Sequence, residues 1–92
     1  MQAIWNGVVI ADSNDTVIVE GNHYFPFDSI QEQYYSKTEL TTFCGWKGMA
    51  NYYSVTVNGK TNKDCAWYYE TPNDAASKIK GMIAFWREIQ IK

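Results

Sequence analysis

Asn51-Tyr52-Tyr53-Ser54-Val55-Thr56-Val57-Asn58-Gly59 is the stretch that decides the fold. Tyr53, Val55 and Val57 fall on one side and Tyr52, Ser54 and Thr56 on the other, the two-residue period of a half-buried strand. Asn58-Gly59 follows at once, a pair that accepts the left-handed backbone of a two-residue hairpin loop. The returning strand is therefore predicted around Asp64 to Glu70, with Trp67 and Tyr69 sharing a face. Just upstream, Phe43-Cys44-Gly45-Trp46-Lys47-Gly48-Met49-Ala50 crowds a thiol, an indole and an ammonium around two glycines. Cys44 to Gly48 reads as a turn or bulge, preceded by a short strand over Thr41 to Phe43.

The same signals recur outward. Asn6-Gly7 joins Ala3–Trp5 to Val8–Ala11 as another hairpin. Asn14-Asp15 turns the chain into the β-branched run Thr16 to Glu20, and Gly21-Asn22 breaks it. His23-Tyr24-Phe25-Pro26 reads as extended, because residues before proline avoid the helical region. Ser29 with Glu32 three residues later has capping-box spacing, which predicts a short helix from about Ile30 to Tyr35. Thr71 as cap and Pro72 at the first position predict a second short helix, ended before Gly81. Met82 to Trp86 and Glu88 to Ile91 read as closing strands. The expected fold is mainly β: one domain over residues 1–92, an antiparallel sandwich or open barrel with one or two short helices.

Composition narrows the function classes. The 92 residues are 46% apolar and 16% aromatic, which is globular rather than disordered. With 8 basic and 10 acidic side chains and no basic face in the pattern, a nucleic-acid partner is not expected. No apolar run approaches membrane-spanning length, and the N-terminus lacks signal-peptide character, so the cytoplasm is the expected compartment and no membrane partner is expected. Cys44 and Cys65 stand alone, without a Cys-x-x-Cys pair, and His23 is the sole imidazole. That set is too small for a structural zinc site, so no metal and no cofactor are expected.

The series Trp5-Asn6-Gly7, Glu20-Gly21-Asn22-His23-Tyr24-Phe25-Pro26, Cys44-Gly45-Trp46-Lys47-Gly48 with Ala50 and Tyr53, Ala66-Trp67-Tyr68-Tyr69 with Pro72, and Ala84-Phe85-Trp86 resembles a small prokaryotic family. It is catalogued as domain of unknown function four-two-seven and spans nearly the whole chain. The resemblance implies a bacterial source and the β-tent fold, two antiparallel sheets meeting at a steep angle. That fold is shared with the thalidomide-binding domain of cereblon, Yippee proteins and B-type methionine sulfoxide reductases. The family has also carried a nucleotidyltransferase-like label, for which this sequence holds no motif. Family members commonly have proline where this chain has Gly45. The paired cysteine ligands of the zinc-binding relatives are missing, so their metal does not transfer.

The candidate ligand site comprises Cys44, Trp46, Lys47, Tyr53, Trp67, Tyr69 and His23. The four rings form an expected aromatic box, suited to flat or cationic groups through stacking and cation–π contacts. Lys47 supplies a point charge. Cys44 is a candidate nucleophile, and His23 a candidate base. Three functions fit these residues. They are a small-molecule or modified-residue binding module, a structural or interaction domain that could pair as a homodimer, and a thiol-dependent enzyme acting through Cys44. No catalytic motif favours the last.

Overall fold

Both Asn-Gly pairs hold the left-handed backbone that a two-residue hairpin loop requires. Their φ angles are 50° and 77° at Asn6 and Gly7, and 51° and 79° at Asn58 and Gly59. The first pair joins β1 (Gln2–Trp5) to β2 (Val8–Asp12), the second joins β6 (Gly48–Val57) to β7 (Lys60–Tyr68). The computed structural model describes all residues from Met1 to Lys92. Its remaining strands are β3 (Val17–Val19), β4 (Asn22–Pro26), β5 (Tyr35–Cys44), β8 (Met82–Phe85) and β9 (Gln90–Ile91). They build two antiparallel sheets, a three-stranded one in the order β2-β1-β9 and a six-stranded one in the order β3-β4-β8-β7-β6-β5. The chain is mainly β, with only short 3-10 segments between strands.

Both expected helices occur as short 3-10 segments with shifted bounds. Ser29 Oγ donates to the Pro26 carbonyl at 2.6 Å instead of capping a helix. The chain makes 3-10 turns at Phe27–Ser29 and Glu32–Tyr34, and Ile30 bridges to Ala11. From Tyr35 it is strand, ten residues through Cys44 rather than the predicted Thr41 to Phe43. This strand hides from sequence reading because it is a largely exposed sheet edge with an irregularity between Lys37 and Thr41, which breaks the alternation. The second segment is 3-10, spans Asp74–Ile79 with a kink at Ala76, and follows Asn73 rather than Thr71. The β3–β4 turn also moves one residue upstream of Gly21-Asn22. Glu20 and Gly21 take it, with φ of 54° and 80°.

The six-stranded sheet carries a core on each face. Along β6, Val55 and Val57 enter the first core while Ala50 and Tyr52 enter the second. The first lies between the sheets, where Ala3, Ile10 and Ala11 meet Phe25, Ile83 and Phe85. The second gathers Tyr24, Tyr52, Tyr69 and Met82 beneath Ala76 and Ile79 of the 3-10 segment. Each fully buried large side chain contributes about 1.5–3 kcal/mol, so a chain this short needs both faces covered.

The sheet also curls. Glu20 in the β3–β4 turn touches Lys47 and Trp46 in the β5–β6 turn, although β3 and β5 are opposite edges of the strand order. The Asn73 N–H donates to the Lys47 carbonyl at 2.9 Å and fastens the residues after β7 to the same turn. Gly48 permits that closure. Its φ is 113°, and the Thr71 and Asn73 backbones lie 3.6 Å from where a Cβ would stand.

Candidate functional site

Side chains on facing strands of an antiparallel pair project to the same side of the sheet. In the β6–β7 pair, Tyr52 lies opposite Trp67 and Tyr53 opposite Ala66. Adjacent tyrosines therefore serve opposite faces, and the expected four-ring box divides into two recesses.

The recess on the second-core side is a hollow of about 190 Å³ lined by Lys47, Tyr52, Trp67, Tyr69 and Trp86. Lys47 is only 7% exposed. Its ammonium forms an ion pair with Glu20 and lies 5.6 Å from the Trp46 ring centre and 5.5 Å from that of Tyr69. Burial acts to lower the Lys47 pKa, but the Glu20 carboxylate, with Tyr24 and Tyr69 beside it, raises it above the usual lysine value. The Trp67 indole N–H donates to Tyr24 Oη at 3.1 Å, and its ring stands edge-on to Trp86 at 6.1 Å. Trp46 stays outside at 41% exposed, with a long 3.4 Å hydrogen bond to Glu20.

The other recess is a cleft of about 540 Å³. Its floor is a row of rings. Tyr53 stacks on Tyr68 at 4.9 Å and 29°, Tyr35 meets Tyr53 edge-on at 5.8 Å, and Phe27 meets Tyr68 edge-on at 5.4 Å. Glu32, Lys37, Glu70 and Lys80 stand around the opening. Burial, then Tyr53 nearby, pushes the Tyr68 phenol pKa up, so that phenol stays neutral at ordinary pH. Tyr35 is fixed from behind by donating its hydroxyl to the Ile10 carbonyl at 2.8 Å.

The expected residues thus scatter. Lys47, Trp67 and Tyr69 converge, Trp46 flanks them, and Tyr53 lies in the other recess. Cys44 is half-buried against the second core. His23 shares a hydrogen bond with Thr16 Oγ1 at 3.2 Å, and none joins it to Cys44. Cys65 is sealed in the first core, where burial pushes its thiol up to about 11. With β6 between their strands and separate cores around them, the two thiols are not partners. Gly45 has an ordinary φ and open space around it, so a side chain fits there. No three His, Cys, Asp or Glu side chains gather as metal ligands. No helix is long and apolar enough to cross a membrane.

Tyr35, Tyr68, Phe27, Tyr52 and Trp86 escaped the sequence reading. A signal for Tyr52 and Tyr68 existed. A two-residue loop at Asn58-Gly59 sets even-numbered β6 residues against odd-numbered β7 residues, which groups Tyr52 with Trp67 and Tyr53 with Tyr68.

The Glu20–Lys47 pair makes acid stability a test of this geometry. Lys47 holds the Glu20 carboxyl below its ordinary value of 4.5. A depressed carboxyl pKa contributes stability that is complete above the unfolded value and lost as pH falls through the folded one. The urea midpoint is expected to fall more steeply for the wild type than for Glu20→Gln below about pH 4.5. Parallel curves would show that the pair forms no net interaction.

A small two-sheet antiparallel domain, with one ring-lined recess on each face of its larger sheet, is the class this arrangement defines. Residues 1–91 match the family described as Domain of unknown function (DUF427), and the chain belongs to that family. A comparison with curated proteins found no match.

Proposed function

We propose that this chain is a small-molecule binding module and that its ligand lies in the tyrosine cleft. The observation behind the reading is the continuous ring floor of Tyr35, Tyr53, Tyr68 and Phe27 within a recess of about 540 Å³. Ligand pockets of folded domains commonly measure ~300–1,000 Å³ and combine apolar walls with a few polar groups. The Lys47 hollow is smaller, and the Lys47 ammonium already occupies its cation–π position. That side chain works there as an internal strut. A thiol enzyme has less support, because Glu20 engages Lys47 and Thr16 engages His23, leaving Cys44 without an activating neighbour among its candidates. Two free thiols on separate cores fit a reducing, cytoplasmic setting.

A thermal-shift screen of ring-containing metabolites tests the proposal, run on the wild type and on Tyr53→Leu. Tyr53 is only partly buried, so the variant folds and is expected to lose the response. Equal responses from both proteins would remove the cleft from consideration. A second reading, an interaction domain pairing with another copy, rests on Phe43 and Met49. They sit opposite each other near the end of the β5–β6 hairpin, 73% and 49% exposed. A concentration-dependent mass abolished by Phe43→Ser, with no ligand response, would favour it.

A further inference from the structure

The charges around the tyrosine cleft have a pattern that apolar lining alone does not require. Glu20–Lys47 is the single salt bridge of the chain, so Glu32, Lys37, Glu70 and Lys80 all line the cleft without pairing to one another. Two of them share one end. Glu70 follows Tyr68 by two residues and lies near enough to act on its phenol. Lys80 precedes Gly81, whose carbonyl accepts the Phe27 N–H at 3.0 Å. A carboxylate and an ammonium thus stand beside the Tyr68–Phe27 end of the ring floor, neither neutralising the other. Lys37 is directly across from Tyr53, toward the other end.

Resting on the cleft reading above, we propose that the ligand is an aromatic zwitterion of the α-amino-acid type. Its ring lies along Tyr53 and Tyr68, its ammonium faces Glu70 and its carboxylate faces Lys80. A flat ring gains stacking from the tyrosine floor. Opposite charges on the ligand head match opposite charges on the protein, and a head of a single sign meets repulsion from one of them. The Tyr53 and Tyr68 hydroxyls add hydrogen-bonding groups along the ring edge.

Calorimetric titration with L-tryptophan, tryptamine, indole-3-acetate and indole separates the terms, because the four share a ring and differ in head charge. Tryptophan is expected to bind tightest. Tryptamine and indole-3-acetate should each be weaker by about three- to fivefold, the range for exposed charge pairs, and indole weakest. Lys80→Met should bring tryptophan to the level that tryptamine has on the wild type and strengthen tryptamine, whose ammonium no longer meets a like charge. Glu70→Gln should bring tryptophan to the level that indole-3-acetate has on the wild type. Both side chains are exposed, so the variants retain the fold. If indole binds as well as tryptophan and Tyr53→Leu abolishes both, the zwitterion is overturned and the cleft stands. If none of the four binds, the aromatic zwitterion is overturned, and the thermal-shift comparison of the wild type with Tyr53→Leu decides the cleft.

Discussion

Phe25→Ala is expected to lower the unfolding free energy by about 3–5 kcal/mol, the largest loss from any single truncation considered for this chain. Phe25 is fully buried, and its ring meets Phe85 edge-on at 5.5 Å. It stands where β4 pairs with β8, opposite Ile83, and faces the three-stranded sheet across the first core. Truncation removes apolar contact from both sheets at once. It also forfeits an aromatic pair worth roughly 0.5–1.5 kcal/mol. Small domains have about 5–15 kcal/mol in total, so a large share disappears. A melting-temperature drop of about 12 °C or more follows, at ~4–8 °C per kcal/mol for a domain of this size. Urea denaturation checks the free energy, with Ile18→Ala, exposed at 58%, as the near-neutral control. A loss below about 1 kcal/mol would mean that the two sheets do not pack through Phe25.

Trp67→Ala comes next, at about 3 kcal/mol. Its ring stands edge-on to Tyr24 at 6.3 Å and to Trp86 at 6.1 Å. Its N–H is also the hydrogen-bond partner of the buried Tyr24 hydroxyl. Removing it strands that hydroxyl, which by itself costs about 1–3 kcal/mol. Trp67→Phe keeps most of the ring and loses the N–H, so it should fall between the wild type and the alanine variant. Trp46→Ala is the instructive contrast. That indole is solvent-facing, and its ties are a long hydrogen bond to Glu20 and the Lys47 ammonium over its face. Its removal should cost no more than about 1 kcal/mol. Equal losses at the two positions would mean that Trp46 is packed as firmly as Trp67 and contradict its placement outside the Lys47 hollow.

These tryptophans show how far local reading reaches. The sequence places Trp67 and Tyr69 on one face, and in the structure both reach the second core. It likewise groups Tyr53 with Val55 and Val57, and all three contact the first core. Across the sheet the two groups do not join into one box. A strand's alternation says which residues travel together, but not which of two covered faces each group serves. Tyr52, next in the chain to Tyr53, is the residue that lies opposite Trp67.

Other departures share a cause. Glu20 adopts left-handed backbone, uncommon for glutamate, while its carboxylate holds Lys47 and Trp46 from the far edge of the sheet. Asp64 does so within β7, where pairing with β6 shifts register. Ser29 and Glu32 have the spacing of a capping box, but Ile30 is drawn to Ala11 and only a 3-10 turn forms, at Glu32–Tyr34. At Glu20 and Ile30 a partner distant in sequence outweighs a local preference worth about 1 kcal/mol or less.

The sequence by itself determined the mainly β character, the two Asn-Gly hairpins, the facing of β6 and β7, and membership of the family. Each depends on backbone preference or side-chain period over a few neighbouring residues. The tertiary structure alone decided that Glu20 meets Lys47, that the ring-rich segments divide into a hollow and a cleft, and that Glu70 and Lys80 share one end of that cleft. Those depend on how the larger sheet curls and on what covers each of its faces. Curl and cover are set by contacts between residues tens of positions apart, which no local pattern encodes.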